Sequence, residues 1–160
     1  MDSSIVETSR QTVPIQDEGD VYAAVGLGRR MTTEMGFGSS ARACAETIIA
    51  ELARNALRHG GGGIVELKAL KQETRRGLEV IVEDQGPGIS DLERALEGAS
   101  TEGSNGLLLK GAGLGVGLSS VQRLADEFSI DSIVGSGTRV RAVKWNNPSL
   151  ANGGLSRRNQ

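Results

Sequence analysis

Glu51 and Asn55 stand four residues apart in the run ELARNALRHG. On a helix that spacing puts a carboxylate and an amide on one face, a turn apart. Such a pair suits a general base beside an oxygen ligand for a hard cation. Mg2+ takes such donors and is often shared with substrate phosphates. Arg58 falls near the same face, and a plain solvated helix face is the alternative reading. A second cluster is Glu83-Asp84-Gln85-Gly86-Pro87-Gly88-Ile89, at the end of an apolar run. A carboxylate there can accept a hydrogen bond from an exocyclic amine. Gly-Pro-Gly turns the backbone and leaves room for a flat ring, although an ordinary β-turn uses the same residues. The third cluster, Gly111-Ala112-Gly113-Leu114-Gly115-Val116-Gly117-Leu118, lies directly before a helix pattern. Its backbone N–H groups can converge on phosphate oxygens with help from the helix dipole, or it can be a flexible linker. The fourth, Gly135-Ser136-Gly137-Thr138, offers a hydroxyl at a hairpin turn. A dinucleotide fingerprint is disfavoured, because the glycines follow a long loop rather than a strand. A Walker phosphate loop is excluded, because no Gly-Lys-Ser/Thr is present.

The elements that must hold these groups follow from periodicity. A helix is expected from Asp20 to about Met35, its signal weakened by Gly26 and Gly28. A second runs from Ser39 or Ser40 to about Arg58, with Ala45, Ile48, Ile49, Leu52, Ala53 and Ala56 as one buried stripe, opposite the Glu51–Asn55 face. Val65, Leu67 and Ala69, then Leu78, Val80 and Val82, alternate with polar neighbours and predict a hairpin. A short helix is expected over Asp91–Leu96, and residues 98–117 are too glycine-rich for regular structure. A helix resumes at Leu118, with Val121, Leu124 and Phe128 on one side. Strands over Ser129–Val134 and Thr138–Lys144 close the pattern around a tight turn. The expected fold class is α/β: a two-layer sandwich whose mixed, mostly antiparallel sheet is covered by helices on one face. One domain is expected over residues 11–145, with a flexible N-terminus at 1–10 and a disordered tail at 146–160.

Composition narrows the function. The 160 residues carry 18 Lys+Arg against 20 Asp+Glu, a balance that argues against a nucleic-acid or acidic-membrane partner. Aromatics are 2%, too few for a base-stacking platform. The 23 glycines are about twice the usual ~7% share, as close backbone approach would require. One cysteine and one histidine exclude an internal disulfide framework and multi-Cys or multi-His metal sites. Cys44 reads as a small packed helix residue, and Trp145 as packing at the domain edge with a partner surface as the alternative. The start MDSSIVETSR is not a secretory signal, and no apolar window spans a membrane, so the default is a soluble cytoplasmic protein.

In order and spacing, the E-x-x-x-N helix, the strand ending in D-x-G-P-G-I, the glycine-rich helix start and the G-x-G-T hairpin resemble the four sequence boxes of the GHKL ATPases, the Bergerat fold. The resemblance spans residues 40–145. The runs ELARNALRHG, VEDQGPGISDLERALEGAST and GLSSVQRLADEFSIDSIVGSGTRVRAVKW are similar to the anti-sigma-factor kinases, and among them to the stressosome switch serine/threonine kinases. That resemblance implies ATP and Mg2+ as cofactors and STAS-domain proteins as substrates. It also implies a PP2C-type phosphatase, bound and activated once the kinase is released from the STAS complex. A homodimer is left open.

Carried over by position, the resemblance implies that Glu51 is the general base and Asn55 the Mg2+ ligand. Asp84 then reads the adenine amino group, Gly86, Gly88 and Ile89 form the turn under the ring, and Thr138 supplies the adenine-side hydroxyl. Gly113, Gly115, Gly117 and Leu118 match the phosphate-contacting lid hinge. Arg58 and His59 lie near the phosphates without an assigned role. The chain departs from the family in a longer stretch between Thr101 and Gly113, where Lys110 could reach a phosphate or stay solvated, and Leu107-Leu108-Leu109 could fold onto the site or a partner. Two other functions stay open: an anti-sigma or nucleotide-binding module acting by sequestration, and a bare ATPase.

Overall fold

The computed structural model describes residues 3–91, 96 and 115–147. In chain order the elements are β1 (Val6–Ile15), α1 (Glu18–Glu34), α2 (Ser39–Gly60), β2 (Gly63–Gln72), β3 (Arg75–Asp84), α3 (Gly115–Leu124), β4 (Glu127–Ile133) and β5 (Gly137–Asn146). The strands form one sheet in the order β1-β2-β3-β5-β4. Each of its four pairings is antiparallel, so the sheet is not mixed among the described residues.

Helix α1 starts where Asp17 caps it. Asp17 Oδ1 accepts from the Asp20 N–H at 3.0 Å, and Asp20 Oδ2 accepts in return from the N–H groups of Gln16 and Asp17. The glycine inside α1 that weakens its helix signal has a packing reason. A Cβ at Gly28 would collide with Ile49 Cδ1, so its absence lets α1 approach α2. Helix α2 ends at Gly61, whose φ of +73° suits a residue without a Cβ.

The core lies between the helices and one face of the sheet. Ala45, Ile48, Ile49, Leu52, Ala53 and Ala56 of α2 pack on Val65 and Leu67 of β2, Leu78, Val80 and Val82 of β3, and Val140 and Ala142 of β5. Burial of this kind contributes about 25 cal/mol per Å2 of apolar surface and dominates the fold's stability. Strand alternation sends the intervening residues to the other face. There Arg141 pairs with Glu79 and Glu127, and Arg139 pairs with Glu83 at 2.8 Å. Leu70, Val143 and Trp145 form a second, smaller cluster on that face. Trp145 is 3% exposed, donates to Glu127 Oε2 at 2.9 Å and lies under the Arg75 guanidinium, so its ring is internal packing rather than partner surface.

Several expectations are corrected. Residues 6–10 are not loose: they open the edge strand β1, which runs antiparallel to β2. Most of β1 is exposed, so it carries no apolar alternation to read, and backbone pairing defines it. Helix α3 begins at Gly115 rather than Leu118, and Phe128 lies on β4 rather than on the helix. Asn146 is not in a disordered tail but ends β5. Its side chain accepts from the Gly38 N–H at 3.1 Å and donates to the Gly36 carbonyl at 3.2 Å, fastening the sheet to the α1–α2 connection. Residues 92–95 of the expected Asp91–Leu96 helix, most of the 98–117 loop with Lys110 and the leucine run, and residues 148–160 lie outside the described residues. Among the described residues no helix is long and apolar enough to cross a membrane.

Candidate nucleotide site

The amphipathic reading of α2 places Glu51 and Asn55 on a wet face, and the structure covers that face. Asn55 is only 9% exposed, so the solvated alternative fails for it. What covers it is the first turn of α3. A Cβ at Gly117 would lie 3.0 Å from Glu51 Oε2 and 3.4 to 3.5 Å from the two amide atoms of Asn55. Glycine at 117 therefore lets the helix N-terminus approach both side chains. A helix N-terminus carries unpaired N–H donors and a partial positive charge. Arg58 is exposed and does not line the cavity.

The Asn55 amide nitrogen is buried without a hydrogen-bond partner among the described residues. A buried polar atom left unpaired costs about 1–3 kcal/mol, so it marks a place that a ligand can complete. The amide can offer its oxygen to a cation and its NH2 to an anion. Among the described residues no three His, Cys, Asp or Glu side chains cluster as a metal cage. A Mg2+ ion needs none, since it takes one or two protein oxygens and completes its shell with water and phosphate. The donor set around Asn55 and Glu51 fits that ion.

Asp84 sits at the end of β3, against the end of α2. A Cβ at Gly60 would collide with the Asp84 side chain, so Gly60 allows the carboxylate to lie close. Asp84 Oδ1 accepts from the Gly86 N–H at 2.9 Å, which leaves Oδ2 without a partner among the described residues. Gly88 has φ +78°, and a Cβ there would lie 2.5 Å from the Ile133 carbonyl. Gly137, with φ +103°, likewise leaves room for the Asp84 carbonyl.

Asn55, Asp84, Gly88, Ile89, Leu118 and Thr138 line one cavity between α2 and the sheet. Leu52, Ala56, Val82 and Val140 supply its apolar surface, and His59 completes it. Glu51 and Gly117 flank it at the Asn55 end, and Gly86 packs behind Asp84 on the backbone of His59 and Gly60. Gly115 is the first residue of α3. Gly113 lies outside the described residues.

Two residues gain a place that sequence reasoning did not assign. Ser132 on β4 accepts from the Ile89 N–H at 2.7 Å and shares a hydrogen bond with the Thr138 hydroxyl at 2.9 Å. It ties the Gly-Pro-Gly turn to the β4–β5 hairpin, as does the bond from the Gly135 N–H to the Pro87 carbonyl at 2.7 Å. Only a register known in advance would single out this serine. His59 does have a signal: it follows Asn55 by four residues, the same spacing that joins Asn55 to Glu51. Burial, followed by the Arg58 charge, holds its imidazole below the usual pKa of 6.5, and Asp84 acts in the opposite direction.

The model of the family described as histidine kinase-, DNA gyrase B-, and HSP90-like ATPase matches residues 42–147, which include most of α2, the glycine turn, α3 and the last hairpin. The chain belongs to this family. Within the ATPase family it is 43% identical over 134 residues to the serine/threonine-protein kinase RsbT of Bacillus subtilis (strain 168), a match covering 83% of this chain and 94% of that protein. It is 32% identical over 103 residues to the anti-sigma F factor of Thermoanaerobacter sp. (strain X514), covering 62% of this chain and 67% of that one. Among solved structures, the SiaB–SiaC complex from Pseudomonas aeruginosa contains a chain of the same fold. Its TM-score is 0.58 at 13% identity, with 86% of this chain and 89% of that one covered. The ATPase domain and the named kinase relative together give this family member its class, a protein serine/threonine kinase that uses ATP.

Proposed function

We propose that the chain is a partner-switching kinase that transfers the γ-phosphoryl group of ATP to a serine or threonine of a STAS-domain protein. When released from that protein, it binds and activates a PP2C-type phosphatase. The observation that carries the reading is the buried, unpartnered Asn55 amide under the N-terminus of α3, beside Glu51. In this reading Asp84 accepts a hydrogen bond from the adenine amine, with Gly86, Gly88 and Ile89 forming the turn beside the ring. Thr138 contributes its hydroxyl, and Gly115, Gly117 and Leu118 bring backbone N–H groups toward the phosphates. Asn55 holds Mg2+, which when bound neutralises phosphate charge. Glu51 accepts the proton of the attacking hydroxyl, so the new P–O bond forms as the bond to the β-phosphate oxygen breaks.

The anti-sigma F factor relative favours a second reading, in which the chain acts by holding a partner and transfer is secondary. One experiment separates the two. The chain is incubated with γ-labelled ATP, Mg2+ and a STAS-domain protein encoded near it. Label on a serine or threonine of that protein is the expected result. Free labelled phosphate alone points to a bare ATPase, and neither product points to the binding module.

A further inference from the structure

His59 lines the same cavity as Asn55 and Asp84, and its Nε2 is buried with no hydrogen-bond partner among the described residues. Native proteins keep few such atoms, and each one calls for a partner. With its pKa held below 6.5, the ring is neutral near pH 7. A neutral imidazole donates from one nitrogen and accepts at the other. Such a group suits a neutral polar edge better than a phosphate, and Mg2+ prefers oxygen donors to an imidazole nitrogen.

Its place along α2 indicates which part of a nucleotide it meets. Asn55 and Glu51 meet the first turn of α3. His59 lies one turn beyond Asn55 in the opposite direction from Glu51, an axial rise of about 6 Å. There the end of α2 presses on the turn after β3: a Cβ at Gly86 would lie 2.8 Å from the His59 carbonyl oxygen. The Asp84 carboxylate also acts on the imidazole itself, which puts the ring at the Asp84 end of the cavity. Asp84 from β3 and Arg58 from its own helix are the charges that act on it.

We propose that His59 Nε2 hydrogen-bonds the nucleoside half of the bound nucleotide and adds a polar contact to those of Asp84 and Thr138. The proposal rests on the nucleotide reading above and adds a residue that discriminates within it.

The test is calorimetric titration of adenosine and of Mg-ADP into the full chain, as wild type, His59→Leu and His59→Gln, together with thermal melts of each without ligand. His59→Leu is expected to weaken adenosine and ADP by the same factor, about 5- to 30-fold. It is expected to melt no lower than wild type, because it removes an unsatisfied buried atom rather than a made bond. His59→Gln, which can set an amide nitrogen near the Nε2 position, is expected to stay within about threefold of wild type. Unchanged affinities in His59→Leu overturn the proposal, as does a loss for ADP without one for adenosine. A loss matched by a drop in melting temperature in both variants assigns His59 a structural role instead. A wild-type chain that binds neither ligand overturns the nucleotide reading itself, and the role of His59 with it.

Discussion

Glu51→Ala is expected to lower phosphoryl transfer by about 10^2- to 10^4-fold while ATP affinity changes less than about threefold. The side chain stands one turn before Asn55 on α2, and its Oε2 faces the first turn of α3 at the position of Gly117. Its charge is not spent elsewhere. Arg54, the nearest cation along the helix, pairs with Glu18 of α1 at 3.1 Å, and among the described residues no ion pair engages Glu51. A carboxylate without an ion-pair partner, beside a helix N-terminus, is placed to act as a base. It adds little to ground-state binding, because it would repel the phosphates. Single-turnover transfer assays and nucleotide titrations on the same preparations check this. Transfer that survives, or transfer and affinity lost in equal proportion, would remove Glu51 from the role of base.

Asp84→Asn is expected to weaken ATP by about 30- to 100-fold and to weaken GTP much less, so that the preference between them narrows or inverts. Asp84 Oδ1 is committed to the Gly86 N–H, and an asparagine can keep that bond through its own Oδ1. The substituted position is then Oδ2, where an acceptor becomes an NH2 donor. An adenine amine would meet a donor there, whereas the guanine carbonyl would meet a partner. The close contacts with Gly60 and Gly86 hold the side chain in place, so a flip of the amide would break the turn. Competition titrations of ATP and GTP provide the readout. Equal losses for both nucleotides would show that Asp84 supports the loop without reading the base.

How much of this was legible depended on the physical signal each element carries. Helix α2 announced itself through Ala45, Ile48, Ile49, Leu52 and Ala56, because a helix buried against a sheet must be apolar along one stripe. Strands β2 and β3 showed the period of two for the same reason. The resemblance rested on short runs in which one residue type has a steric reason: Gly86 and Gly88 stand where a Cβ would strike backbone, and Gly117 where it would crowd Glu51. Strand β1 was illegible. Its residues from Val6 to Thr12 are exposed, and its definition lies in bonds to a partner about 60 residues away. The burial of Asn55 was illegible too, because it depends on α3 crossing the polar side of α2. Ser132 belongs to the same class: its importance comes from facing Ile89 and Thr138 at once, and sequence spacing does not encode that. Gly28 weakens the sequence signal of α1, and its reason is the close approach of Ile49, which spacing does not reveal.

Each role proposed for Glu51, Asn55, His59 and Asp84 requires that the cavity between α2 and the sheet hold an adenine nucleotide. Isothermal titration of ATP into the full chain in the presence of Mg2+ tests it most directly. Saturable heat with a dissociation constant in the range of about 1 μM to 1 mM is expected, corresponding to about −8 to −4 kcal/mol. A flat titration at millimolar ATP, from a chain whose thermal melt shows it to be folded, would contradict the claim.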